Sequence, residues 1–403
     1  MEILQINSCN FGSTGKIMLQ LAEKAKVAEH KAYVAIPKSR SNFNKQNENT
    51  IFIGNRLFRN LYIILARIFG DEKLFSYLST KRFLKKVKKL DIDVLHLHNL
   101  HGSYINLPLL FKYIKKNNVR TVWTLHDCWA FTGHCPHFDM IGCEKWRTGC
   151  GGCTIYKDYP KVYWDNSKAM FKKKRKMFTG VENMTLVTPS AWLADLVKQS
   201  FLKDYPVKVI NNGIDLNIFK STESDFRERY NCKDKFIVLG VAFGWGKRKG
   251  LDVFLELAKR LDERFQIVLV GTDENVDKQL PKNIISIHRT QNQTELAEIY
   301  TAADVFINPT REEVLGLVNI ESLACGTPII TFKTGGSPET IDETCGIVVE
   351  KNDIDGMYNA IINIKENSPF SKEDCLKRAK SFDKETKFIE YIELYNYFKR
   401  DKN

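Results

Sequence analysis

Apolar residues in this chain fall into short continuous runs. Between the runs lie longer stretches in which apolar positions return every three or four residues. Short apolar runs bounded by turn residues read as buried strands, and three-to-four spacing reads as helices packed on them. In the first half the predicted strands are 2–7, 32–37, 93–98, 119–125, 185–188 and 208–210, with a helix over 17–28. The pattern restarts after residue 220. Strands are predicted at 236–241, 265–270, 284–287, 305–307 and 328–331, and helices at 251–261, 294–302 and 316–324. Strand–helix alternation implies parallel sheets with helices on both faces. The expectation is therefore two successive α/β units, 1–212 and 213–380, joined at the turn-rich Asn211-Asn212-Gly213-Ile214-Asp215, with a helical tail over 381–403.

Two loops carry candidate chemistry. Gly12-Ser13-Thr14-Gly15-Lys16 follows the first strand but is not a nucleotide-binding P-loop, because Asn10 stands where that pattern needs Gly and Ile17 where it needs Ser or Thr. It remains a small-residue loop at a helix start, where backbone N–H groups can receive an anion; Gly12, Thr14 and Gly15 are its candidate contacts. The alternative is an ordinary strand-to-helix turn. The second loop places Glu313 and Glu321 eight residues apart around Leu315-Gly316-Leu317, with Gly316 opening a helix. N–H groups there can hold phosphate, and carboxylates can accept bonds from sugar or ribose hydroxyls. A pair of solvated glutamates is the plain alternative.

Charge adds an asymmetry. The chain has 403 residues and a net charge of +13; residues 1–200 hold 32 Lys and Arg against 15 Asp and Glu, while residues 201–403 are net −4. A basic half suggests an anionic surface or substrate. Positions 56–90 combine an apolar helical stripe (Leu57, Phe58, Leu61, Tyr62, Leu65, Ile68, Phe69) with Arg56, Arg59, Arg67, Lys73, Lys81, Arg82, Lys85 and Lys86, and FKKKRKMF at 171–178 adds a second basic helix. Such a face suits an anionic membrane; a core-facing helix with a solvated rim is the alternative. No apolar run reaches the roughly 18 residues of a membrane span, and no signal-peptide pattern opens the chain, so a cytoplasmic protein is expected.

Several segments together resemble glycosyltransferase family 4: VINNGIDLNIF at 209–219, KRKGLDVFLELAKRL at 247–261, EEVLGLVNIESLACGTPII at 312–330 and TGGSPETI at 334–341. HLHNLHGSY at 96–104 and TLHDCWAFTGHC at 124–135 resemble bacterial members that build capsule, O-antigen or exopolysaccharide. The resemblance implies the GT-B fold: two Rossmann-like domains facing a cleft, with the C-terminal helix returning to the first. It implies a retaining transfer from a nucleotide-sugar, a UDP- or GDP-sugar, bound by the second domain. The acceptor, a saccharide or lipid-linked saccharide, would be held by the first. No cofactor is required for catalysis.

By the same resemblance, Glu321 holds the ribose and Glu313 the transferred sugar, although the adjacent Glu312 blurs that assignment. Lys249 neutralises the diphosphate. The family often carries an Arg five residues before that Lys, where this chain has Gly244; Arg248 or Lys247 would substitute. Arg289 joins the donor-binding set. His126, at a strand end, acts at the reacting carbon, with Asp127, His98 and His101 on the acceptor side. Two rival readings remain. One is a non-hydrolysing nucleotide-sugar epimerase on the same fold, which needs no acceptor. The other is a basic nucleic-acid-binding protein, against which the acidic second half and the donor motifs argue.

Cys135, Cys143, Cys150 and Cys153 lie within 19 residues of a glycine-rich stretch, with His134 and His137 adjacent. Four thiolates could hold a structural zinc in place of a core. Free thiols are the equal alternative.

Overall fold

The computed structural model describes residues 1–43, 49–71 and 76–400. Lys73 of the basic stretch and residues 401–403 of the tail lie outside them. The chain divides into two compact units: residues 1–210 together with the chain end from Phe388, and residues 211–387.

The first unit holds a seven-stranded sheet. Its strands are β1 Glu2–Ile6, β2 Lys31–Pro37, β3 Thr50–Ile53, β4 Val94–Leu97, β5 Arg120–Thr124, β6 Met184–Thr188 and β7 Val207–Val209. They lie in the order β3-β2-β1-β4-β5-β6-β7, all parallel. Register sets Gln5 of β1 opposite His96 of β4. Alternate residues of a strand share a face, so this register puts Gln5, His96 and His98 on one side of the sheet. That core takes in Ile3, Val34, Val94 and Val122 from the strands and Ile17, Met18 and Leu21 from the helix Gly12–Val27. Phe388, Tyr391, Ile392 and Tyr395 of the C-terminal helix Lys384–Arg400 complete it.

The second unit has six parallel strands: β8 Phe236–Val241, β9 Phe265–Val270, β10 Ile284–Ile287, β11 Val305–Asn308, β12 Ile329–Phe332 and β13 Gly346–Val349. Their order is β10-β9-β8-β11-β12-β13. The inner strands β8, β9, β11 and β12 are covered on both faces and almost wholly buried, which is why they read as near-continuous apolar runs. Ile237, Leu239, Phe306 and Ile329 pack on one face with Tyr300 and Leu323. Val238, Val305, Ile307 and Ile330 pack on the other with Phe254 and Met357.

The cysteine-rich loop gives the zinc expectation no support: among the described residues no group of three or more His, Cys, Asp or Glu is arranged to hold a metal ion, and Cys135, Cys143, Cys150 and Cys153 form no disulfide. The loop has a core of its own. Phe131, Phe138 and Trp146 are buried against one another, with ring centroids 5.1–6.5 Å apart. Burial, then the neighbouring Cys153 and Cys150, push the Cys135 thiol up to about 12, so it stays protonated at neutral pH.

Candidate functional site

Each sheet has one switch point, where the strand order reverses and connections leave in opposite directions. In open α/β sheets ligands bind outside the carboxyl ends of the strands there. In the first unit the switch lies between β1 and β4, and in the second between β8 and β11.

At the first switch point the helix Gly12–Val27 begins five residues earlier than its apolar pattern suggests, so Gly12, Thr14 and Gly15 form its opening turn. Phe11 supplies no side-chain cap and the turn has no acidic residue, which leaves its N–H groups available to an anion. Gly15 must be glycine, since a Cβ there would lie 2.6 Å from the Asn10 carbonyl carbon. Asn7, fully buried just past β1, accepts from the N–H groups of Ser8 and Asn99 at 2.9 and 3.3 Å, joining the β1 and β4 ends.

Three histidines stand beside this turn on the ends of β4 and β5. His98 is buried between Gln5 and His126: its Nε2 lies 3.0 Å from Gln5 Oε1 and its Nδ1 3.1 Å from His126 Nε2. Burial, then the neighbouring His96 and His126, holds the His98 pKa well below its usual value, so the ring is neutral. As the Gln5 amide is placed, with Oε1 toward His98 and its Nε2 buried without a hydrogen-bond partner among the described residues, the His98 proton sits on Nε2 and Nδ1 accepts from His126. His126 therefore carries its proton on Nε2 and presents Nδ1 as a lone pair. Burial brings His126 down to about 4, with Asp127 opposing and His101 assisting, so it too is neutral near pH 7.

Asp127 faces the other way. Its Oδ2 lies 3.3 Å from His101 Nε2, and its Oδ1 accepts from Trp129 N–H at 2.8 Å. Burial pushes this carboxyl up, but the His101 hydrogen bond, the charges of His101 and His137 and the Trp129 N–H outweigh it, and the net shift is downward. Tyr159 OH holds His101 Nδ1 at 3.1 Å.

At the second switch point the loops after β8 and β11 bring Lys249 and Glu313 together, 2.8 Å apart and each about one-fifth exposed. Gly316, at φ +90°, starts the helix Leu317–Ala324 without a side-chain cap. Gly335 packs so closely that a Cβ would fall 1.7 Å from the Glu313 carbonyl oxygen, which fixes this loop's path. Buried Asn319 donates to Thr340 Oγ1 and accepts from Asn308, tying the helix start to β11 and to the turn Ser337–Thr340. The hydroxyls of Thr334 and Ser337 are buried with no hydrogen-bond partner among the described residues. One turn into the helix, Glu321 Oε2 accepts from Tyr300 OH at 3.3 Å. Leu315 is buried and Leu317 half-buried beside it. Lys249, Glu313, Gly316 and Glu321 thus occupy one helix start and the loops around it. Arg289 is exposed in the loop after the edge strand β10, and among the described residues no hydrogen bond or ion pair links it to that set.

Sequence reasoning missed Arg311. It is buried, makes a two-pronged pair with Asp252 at 2.7 and 2.8 Å, and donates to Asn352 at 2.6 Å and to the Lys247 carbonyl oxygen. Its N–H also donates to the Arg248 carbonyl oxygen at 2.9 Å. Arg311 therefore pins the turn that carries Lys249, while the Arg248 side chain is exposed. Gln5 was missed as well. Nothing in the sequence distinguishes either residue, because each acts through a partner remote in the chain.

Comparison with known proteins gives two family matches. Residues 14–218, half of the chain, match the family described as Glycosyltransferase Family 4, and residues 234–367 match Glycosyl transferases group 1. WcaC of Escherichia coli K12, named as a colanic acid biosynthesis glycosyl transferase, is 24% identical over 371 residues, covering 88% of either chain. Among solved structures, sucrose-phosphate synthase from Thermosynechococcus elongatus superposes with a TM-score of 0.73 at 18% identity, covering all of both chains. HepE of Anabaena in complex with UDP-glucose superposes at 0.69 and 15% identity, covering 98% of this chain and 99% of that one.

Proposed function

The chain belongs to glycosyltransferase family 4 and has the GT-B fold, and on that premise we propose that it moves a hexosyl group from a UDP-sugar to a saccharide or lipid-linked saccharide in the synthesis of a bacterial surface polysaccharide. WcaC supports the polysaccharide class, and HepE, solved with UDP-glucose, supports the donor base. The reaction belongs to the cytoplasm, with peripheral contact at the inner membrane face; among the described residues no helix is long and apolar enough to cross a membrane.

The observation that carries the reading is the Lys249–Glu313 pair at the start of the helix that Gly316 opens. In this reading the open N–H groups of Gly316, Leu317 and Val318 and the Lys249 ammonium meet the diphosphate, and Glu321 takes the ribose hydroxyls. Glu313 takes a hydroxyl of the transferred sugar, and the unpartnered hydroxyls of Thr334 and Ser337 offer further partners beside it. The bond from the anomeric carbon to the diphosphate oxygen breaks as the acceptor hydroxyl attacks from the same face, and the acceptor's proton passes to the departing diphosphate. Negative charge grows on that diphosphate, so a fixed ammonium and fixed N–H groups stabilise the transition state more than the ground state. In the first unit, the Nδ1 lone pair of neutral His126 accepts a bond from a sugar hydroxyl.

The test is a thermal-shift panel of nucleoside diphosphates and nucleotide-sugars followed by transfer assays. UDP and UDP-hexoses should raise the melting temperature as RT ln(1 + [L]/Kd). Conversion of the donor to another nucleotide-sugar without any acceptor would instead identify an epimerase.

A further inference from the structure

The helix Arg56–Phe69 turns its apolar side to solvent. Leu57, Leu61, Ile64 and Ile68 recur at intervals of four, three and four residues and form a single stripe, each between 43% and 77% exposed. Phe58 and Phe69 flank the stripe at 54% and 61%. The side turned to the protein carries Ala66, which is buried, and Arg59, whose charge lies near Cys9 and Tyr104. Surface helices of soluble proteins ordinarily bury such a stripe against the core.

The helix continues into a basic surface. Asn166 donates to the carbonyl oxygen of Gly70 at 3.2 Å, and Lys173 pairs with Asp71 at 2.7 Å, which fixes the helix end beside the helix Ser167–Phe178. Next to Asp71 opens a groove of about 680 Å³ with Phe111 and Met177 in its floor and Lys115, Lys173 and Lys176 on its rim. Across the helix Leu107–Asn117 lies a second groove of about 470 Å³, with Leu84 and Leu109 in its floor and Lys81, Lys85 and Lys88 on its rim. Lys112 and Lys116 stand on the ridge and line both. Asp71, already paired, is the one carboxylate lining either groove among the described residues.

We propose that this face docks on the anionic leaflet of a bilayer, with the stripe Leu57–Leu61–Ile64–Ile68 sunk at the boundary of headgroups and acyl chains and the two lysine-rimmed grooves set against lipid phosphates. An amphipathic helix with a solvent-facing apolar stripe binds in that plane, and neighbouring lysines add attraction to anionic lipid. Charge selects this occupant. A second copy would bring the same cations to the same face and repel, and a nucleic acid would leave the apolar stripe in water. The inference deepens the reading of a lipid-linked acceptor, but the docking itself requires no transfer.

Sedimentation of the full chain with vesicles tests it. Vesicles of phosphatidylglycerol in phosphatidylcholine should bind the protein, pure phosphatidylcholine should bind it weakly, and added salt should release it. Leu61→Glu with Ile64→Glu should cut binding to the anionic vesicles at least ~10-fold, because each places a charge where the acyl boundary would be. Both positions are exposed, so an unchanged melting temperature shows that the fold is intact. Lys112→Glu with Lys116→Glu should weaken binding to anionic vesicles alone, by roughly fivefold per lysine. Equal binding to neutral and anionic vesicles overturns the proposal. So does a dimer that Leu61→Glu dissociates, which would make a second copy the occupant. If vesicles fail to bind while transfer to a soluble acceptor persists in solution, the docking surface is wrong and the enzymatic reading stands.

Discussion

Gln5 reaches His126 through His98, and in the proposed reading that chain of three side chains decides which nitrogen of His126 would meet substrate. With Gln5 Oε1 as the acceptor, the 3.0 and 3.1 Å contacts put the His126 proton on Nε2. Gln5→Leu removes the acceptor, leaves a buried N–H unpaired and lets His98 turn its proton toward His126. We expect turnover to fall about tenfold, part of the larger loss caused by His126→Ala, with UDP affinity unchanged in both. The His126 imidazole ¹⁵N shifts should report Nε2–H in the native chain and a mixture in the variant; unchanged shifts with unchanged turnover would refute the relay. The same histidines make the first unit acid-sensitive. Burial lowers His96 to about 3 and His126 to about 4, with the His98 value also well below normal. Unfolded histidine takes its proton near pH 6.5, so between about 6.5 and 4 the unfolded chain binds more protons than the folded one. The stability these groups contribute is therefore complete above about pH 6.5 and is lost as pH falls toward 4. A melting temperature for the first unit that is flat across that window would contradict their buried, neutral state. In the second unit Glu321→Ala should weaken UDP itself, by ~1.5–3 kcal/mol for a lost charge-assisted bond. Glu313→Ala should mainly lower turnover with the sugar nucleotide. Calorimetric titration of UDP into both variants separates these roles, and equal losses would end the division.

At the scale of elements, what could be read from the chain follows burial. The strands β8 and β9 coincide with the runs that predicted them, because strands covered on both faces are continuously apolar. Of the four sheet edges, β7 and β10 were read, at 208–210 and 284–287, and the other two were missed. The strand β3 is mostly half-buried and β13 has only one buried residue, so neither stands out from the loops around it. The helix Ile354–Asn367 and the helix Lys372–Lys380 were missed as well, although capped by Asp353 and Ser371. The apolar positions of Lys372–Lys380 are sparse and it buries only Cys375 and Ala379, whereas Ile354–Asn367 buries Met357, Ala360, Ile361 and Ile364 at helical spacing and was legible. The candidate site was legible where a motif marks a loop, as at Glu313, Gly316 and Glu321. It was illegible where an unremarkable side chain braces that loop from a distance. Arg311 is the clearest case: it ties the turn Lys247–Lys249 to the loop after β11. Arg311→Met should destabilise the second unit by ~1–3 kcal/mol. The cost sits at the low end for a buried ion pair because Asp252 is 44% exposed and regains water. It should also raise the donor KM several-fold, because Lys249 is no longer held in place. A loss of stability with an unchanged KM would show that Arg311 supports the fold and not the site.

At the scale of the whole molecule, the chain's end is part of its beginning. The helix Lys384–Arg400 starts in the second unit, where Lys384 pairs with Asp215, and from Phe388 onward it belongs to the first. There Tyr395 OH lies 2.5 Å from His96 Nδ1, and Tyr391 OH lies 3.2 Å from Thr124 Oγ1, which in turn meets His96 Nε2 at 2.8 Å. Both nitrogens of a fully buried histidine are thus satisfied, one of them only because the C-terminal helix is present. The same helix supplies Phe388, Tyr391, Ile392 and Tyr395 to the apolar core. Losing large core side chains costs about 2–5 kcal/mol each. Four of them together approach or exceed the 5–15 kcal/mol by which a typical domain is stable. A chain ended after Lys387 should therefore fail to fold its first unit. The milder Tyr395→Phe strips only the hydroxyl, leaves His96 Nδ1 unpaired and should cost ~1–3 kcal/mol while the unit still folds. Denaturant unfolding followed by tryptophan fluorescence in a Trp245→Phe background reads the first unit, which holds the other five tryptophans, Trp123 buried in its sheet among them. A cooperative tryptophan transition that survives the truncation would mean that the first unit closes its core without the returning helix, and that the buried His96 finds its partners elsewhere.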